Sequence, residues 1–95
     1  MLKPVKIRIL EIMADGKERW SNEIVSDICK EYEISMSNDV SRDYINFDLV
    51  ELSTGGFLND IGQKVDTDGL HKKGFLLHKY VITKAGKEKS ESMKK

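Results

Sequence analysis

Two strand-like runs, Leu58–Val65 and Phe75–Ile82, flank the turn sequence Asp66-Thr67-Asp68-Gly69. The return run Phe75-Leu76-Leu77-His78-Lys79-Tyr80-Val81-Ile82 is rich in aromatic and branched residues, and the loop between the runs is closed by Gly74. Such a pattern is a β-hairpin, with Gly62 marking a bulge or bend in its first strand. A hairpin alone is marginal in water, so this one needs a helical layer to pack against. The chain ahead of it supplies one, because from Lys3 to Leu58 the apolar residues recur at helical spacing in three segments. An α+β domain follows.

The first helix is expected to begin at Pro4, whose fixed φ suits a first helical position. It aligns Val5, Ile9, Ile12 and Met13 on one face with Leu10 beside them, and Gly16 provides a left-handed end. Lys17–Trp20 reads as a short extended connection. Ser21 is the expected N-cap of the second helix, whose buried stripe is Ile24, Val25, Ile28, Cys29 and Tyr32. Trp20 is expected in the core, stapled against that helix. Ser37 is the expected cap of a third helix running from Asn38 to about Ser53 and ended by Thr54-Gly55-Gly56. Val40, Tyr44, Phe47 and Leu52 alternate there with Ile45, Leu49 and Val50, so this helix is apolar on more than one side. Either it is buried between the first helix and the hairpin, or its second apolar face meets a partner. Thr83 caps a last helix, with a frayed tail over 89–95 and a core spanning about 4–88.

Ninety-five residues make one domain with a modest core. No apolar run approaches the ~20 residues that span a bilayer. The segment Met1–Lys6 lacks the apolar core of a signal peptide, so a soluble cytoplasmic protein without membrane contact is expected. Cys29 is the single cysteine, which excludes an intrachain disulfide. At core spacing it behaves as a small buried hydrophobe, a reactive thiol being the alternative.

Sixteen basic and sixteen acidic residues cancel, but they are not mixed evenly. Residues 1–20 carry a net +2, 21–36 carry −3, 37–59 carry −3, 60–82 carry +1 and 83–95 carry +3. The middle of the chain is acidic and both ends are basic.

Three helices, a two- or three-stranded β-wing and a C-terminal helix, in that order, resemble the winged helix-turn-helix superfamily of small bacterial and archaeal transcription regulators. The likeness rests on Ser21-Asn22-Glu23-Ile24-Val25, on Val40-Ser41-Arg42 and on Tyr80-Val81-Ile82-Thr83-Lys84-Ala85-Gly86. Asp15-Gly16 ahead of Trp20–Val25 is also similar to the DNA-binding N-terminal module of some restriction endonucleases. The resemblance implies double-stranded DNA as partner, with the third helix in the major groove. Ser37, Asn38, Ser41, Arg42 and Asn46 would face the bases, Arg42 taking guanine and Asn reading adenine. His71, Lys72 and Lys73 of the wing would hold phosphates. A homodimer, contacting through the first and last helices, would set two such helices one DNA turn apart.

Asp39 and Asp43 flank Arg42, and carboxylates facing DNA would repel its phosphates. The alternative is a protein-interaction module docking through the acidic third helix, which calls for a basic protein partner. No enzyme is expected: there is no glycine-rich phosphate loop, and the acids at 39, 43, 48 and 51 form a helix face rather than a convergent pair. No cofactor is implied. His71 and His78, with Asp66 and Asp68 the nearest acids, do not compose a metal set.

Overall fold

The computed structural model describes residues 4–67, 69 and 73–92. Its elements are α1 (Val5–Met13), β1 (Arg19–Trp20), α2 (Ser21–Glu31), α3 (Asp39–Thr54), β2 (Leu58–Val65), β3 (Leu76–Ile82) and α4 (Lys84–Ser92). The architecture is α+β: four helices and a three-stranded antiparallel sheet in the order β1-β3-β2.

One core joins both layers. Ile9, Leu10 and Met13 of α1, Ile24, Val25, Ile28 and Cys29 of α2, and Ile45, Leu49 and Leu52 of α3 close on Leu58, Tyr80 and Ile82. Removing these side chains from water stabilises the fold by roughly 1.5–3 kcal/mol each for the larger ones, before conformational entropy is counted. Burial pushes the Cys29 thiol pKa up, as expected of an inert core cysteine.

Two helix ends use the same closing geometry with different residues. After α3, the Phe57 N–H reaches back to the Leu52 carbonyl at 2.9 Å, with Gly56 at φ +84° between them. After α2, the Ile34 N–H reaches the Cys29 carbonyl at 2.8 Å, but the left-handed position at φ 56° is filled by Glu33. A side chain there is strained, where glycine is not.

The caps differ from expectation by one residue. Ser21 is the first residue of α2 and is buried, because its Oγ accepts the His78 N–H of β3 at 3.2 Å instead of capping. The Glu23 carboxylate accepts the Trp20 N–H at 3.1 Å in that role. Asn38 rather than Ser37 caps α3, its Oδ1 accepting the Ser41 N–H at 3.1 Å. Ser37 bonds the Ser35 hydroxyl at 2.7 Å. Thr83 does cap α4: its Oγ1 accepts the Gly86 N–H at 3.0 Å and donates to the Gly56 carbonyl at 2.7 Å. The helix continues to Ser92, with Ser90 buried.

Trp20 is the other correction. It is half-buried and outside the core, on the opposite face of the sheet, where it pairs with Lys79 across β1 and β3. In β2, Asp60 faces Tyr80 and Gly62 faces Lys79, so Ile61 is the extra residue of a bulge beside the glycine. A Cβ placed on Gly62 would lie 3.8 Å from the Trp20 ring, and the Lys64 ammonium sits 4.4 Å from the ring centroid. Leu77, two residues from Lys79 and hence on the same face, is buried there.

Candidate functional site

α3 divides cleanly into two faces. Arg42, Ile45, Leu49 and Leu52 recur at three- and four-residue intervals and are buried. The opposite face carries Val40, Tyr44 and Phe47, which are 65%, 69% and 59% exposed, with Val50 at its edge. Val40, Asp43, Tyr44 and Phe47 line a shallow open groove along the first half of the helix. Met36 in the preceding turn is exposed as well. Scattered exposed apolar residues are ordinary, but three at consecutive turns of one helix face form a contiguous stripe.

The carboxylates of α3 surround that stripe. Asp39 lies in the first turn, where negative charge suits the helix N-terminus, and pairs with Arg42. Asp43 lines the groove and is exposed. Glu51 meets Lys6 of α1 at 3.1 Å in an exposed pair of little energetic weight. Burial raises the Asp48 carboxyl pKa above its ordinary value, with Lys6 opposing and Glu51 reinforcing the shift. Over 37–59 only Arg42 offsets four carboxylates, and its guanidinium points into the fold.

The residues expected to touch DNA are therefore not brought together on one solvent face. Ser37 and Asn38 are exposed at the start of α3, the latter occupied as the cap. Ser41 and Asn46 are half-buried. Arg42 is 8% exposed and is bonded to Asp39. Lys73 is exposed beside Gly74 at the far end of the hairpin, while His71 and Lys72 lie outside the described residues. The outward residues Val40, Asp43, Tyr44 and Phe47 belong to the second apolar face and the acidic flank that the sequence offers as the alternative to DNA contact. Their spacing is visible in the sequence, but so is that of the buried set to which Arg42 belongs.

A second group sits on the hairpin. His78 Nδ1 lies 2.6 Å from Asp60 Oδ2, and the His78 ring stacks on Tyr80 with centroids 6.0 Å apart. Both His78 and Asp60 belong to strands, and the pairing Asp60–Tyr80 and Gln63–His78 across the bulge is what lets them meet. The Ser21 hydroxyl accepts the His78 backbone N–H of this strand. Among the described residues no three His, Cys, Asp or Glu side chains converge on a metal position, and no helix is long and apolar enough to cross a membrane.

Compared with known proteins, the chain matches no protein-family model, no curated protein and no solved structure.

Proposed function

We propose that the chain is a winged-helix-like docking module that binds a protein partner through the outward face of α3. The observation that carries this is the division of α3: Val40, Tyr44 and Phe47 stand in water while Arg42, its one basic residue, is buried. An element order of three helices, a β-hairpin and a C-terminal helix supports the winged-helix part of the reading. In that arrangement the third helix presents its outer face to a ligand, and folds of this kind serve both DNA and protein partners. The character of the face supports a protein: interfaces with proteins favour aromatic and aliphatic anchors, whereas DNA demands cations for its phosphates.

The test is site-specific photo-crosslinking from position 44 in cells. A protein adduct that disappears in the Phe47→Ala background is the expected result. A nucleic-acid adduct, or no adduct with the protein folded and abundant, overturns the reading.

A second reading, DNA binding, is favoured by one feature: Ser37 and Asn38 are exposed at the start of α3, and Lys73 is exposed on the hairpin. Asp43→Lys separates the two. It strengthens binding to a mixed-sequence duplex at low salt if α3 meets phosphates, and weakens partner capture if α3 meets a basic protein. Asp39→Lys is the poorer choice, because it also sets a cation against Arg42.

A further inference from the structure

We infer that the partner of α3 is a second copy of this chain, whose hairpin lays Ile61, Val65 and Leu76 over Val40, Tyr44 and Phe47 while its own α3 receives the first copy's hairpin. This deepens, and rests on, the reading of α3 as a protein-docking face.

The hairpin supplies the matching surface. In β3, Tyr80 faces the helices and is buried in the core, and alternation puts His78 and Leu76 on that same face. Leu76, four residues from Tyr80, therefore stands about 13 Å beyond it on the face that helices cover elsewhere. Val65 lies directly opposite Leu76, and the two are 57% and 42% exposed. Ile61, the extra residue of the bulge, adds an exposed side chain on β2, the edge strand of the sheet. Among the described residues, no helix buries this end of the core face, and none buries the outer side of α3. A bare helix stripe and a bare stretch of sheet are surfaces that the layers of a domain bury against each other. The stripe from Val40 to Phe47 runs about 10 Å along its axis, which the overhanging stretch can cover.

The signs of charge agree with that pairing and with no symmetric one. Residues 37–59 sum to −3 with Arg42 counted, and adding Lys6, the partner of Glu51, takes −3 to −2. The internal pairs thus weaken the negative sign around α3 without reversing it. Among the described residues from 64 to 76, the exposed charges are Lys64 and Lys73, and the carboxylate of Asp66 is buried. Packing α3 on α3 would set an acidic surface on an acidic one, and hairpin on hairpin would set lysines beside lysines. α3 on hairpin brings opposite signs together, the arrangement that steers association and fixes register.

Area decides how the contact is repeated. Counting Phe75 beside Leu76, the two apolar patches together offer on the order of 600–700 Å² per copy. A single α3-on-hairpin contact hides about that much in total, short of the ~1,200 Å² at which specific interfaces begin. Made twice about a two-fold axis, the buried area doubles and clears that threshold, and the assembly closes instead of growing as an open chain.

The experiment is sedimentation equilibrium of the full chain over roughly 1 μM to 1 mM. Phe47→Ser, Leu76→Ser and an equimolar mixture of the two are run alongside. Both positions are exposed, and circular dichroism checks that each variant folds. The wild type should form a dimer, and each variant should raise its Kd roughly tenfold or more. The mixture should associate more tightly than either variant alone, because a mixed pair keeps one whole contact: the intact α3 of one chain on the intact hairpin of the other. If a single variant dissociates the dimer, or the mixture gains nothing, like surfaces meet and the inference is overturned; the docking reading survives where that variant is Phe47→Ser. If neither variant dissociates a dimer, the copies meet elsewhere and the inference falls. If the wild type stays monomeric throughout, the inference falls as well, and the crosslink from position 44 decides the docking reading by itself. An adduct with a different protein then keeps that reading, and a nucleic-acid adduct removes it.

Discussion

The guanidinium of Arg42 bonds the carboxylate of Asp39 one turn earlier on α3, on the buried side of the helix, and this leaves the outer side without a cation. The two partners are unequal: Asp39 is largely exposed and Arg42 is not. Removing the arginine therefore leaves no buried orphan charge on Asp39. Arg42→Met, which keeps most of the volume and packing of the stem, should change stability by less than about 1 kcal/mol in urea melts. Arg42→Ala should cost about 1–3 kcal/mol through lost packing of its buried stem. Equal, large losses in both would show that the charge itself holds α3 in place.

Glu33 occupies the left-handed position that Gly56 fills at the end of α3. An L-residue pays about 1–2 kcal/mol in that conformation, partly offset by the smaller entropy it loses on folding. Glu33→Gly should therefore raise the stability by up to about 1 kcal/mol, read as a higher urea midpoint at unchanged slope. A lower midpoint would mean that the Glu33 side chain makes a contact worth more than its strain.

Gly86 is needed for a different reason, since its φ is ordinary. A Cβ there would sit 2.2 Å from the Phe57 carbonyl oxygen and 2.7 Å from Ile82 Cγ1. The first of these is backbone, and cannot rotate away. Gly86→Ala should cost about 1–3 kcal/mol or more, even though alanine is the better helix former. Thr83→Val should cost about 1 kcal/mol or more by removing the hydroxyl that joins the start of α4 to Gly56. Hydrogen exchange should show α4 opening ahead of the core in both variants; uniform global loss would place the damage elsewhere.

These contacts mark where the sequence was legible. The hairpin, its bulge at Gly62, the end of α3 and the Thr83 cap all rest on local chemistry, and local chemistry is written in neighbouring residues. The α2 stripe was legible because its apolar residues form a single face. α3 was not, because two apolar faces share one helix, and only packing against α1, α2 and β2 decides which turns inward. Polarity suggested that Arg42 faces water, yet a nearby carboxylate and a long aliphatic stem let it face the fold. Ser21 was misread for a similar reason: serine ahead of a helix signals a cap, but the partner that claims its hydroxyl comes from β3, 57 residues away. Trp20 looked like core by its size alone, and it is the pairing with Lys79, on a strand distant in sequence, that turns its ring to the other face.

Lys64 lies over Trp20 on that outer face. Trp20 is the single tryptophan, so its fluorescence reports this ring, over which Lys64 lies closer than Lys79, at 4.4 against 5.8 Å from the centroid. Lys64→Met should alter the emission while lowering stability by no more than about 1 kcal/mol, since the cation–π contact is solvent-exposed. Unchanged emission would mean that the ammonium does not dwell on the ring.

Tyr80 is expected to contribute to alkaline unfolding. Its side chain is buried between the helices and the sheet, and burial, with the nearby Asp60 charge adding to it, pushes the phenol pKa up from 10.0 to about 12. The folded chain therefore keeps this proton where the unfolded chain has lost it. Stability is fully present below pH 10 and declines as the pH rises from 10 toward 12, by an amount on the order of 2 kcal/mol. Lysines also lose their charge in that window, so the comparison is made with Tyr80→Phe, which keeps the ring and removes the ionisable group. Urea midpoints of the two proteins, measured across the window, should converge or cross as the wild type loses stability that the variant retains. Parallel decline in both would assign the alkaline transition to the lysines and leave Tyr80 with no part in it.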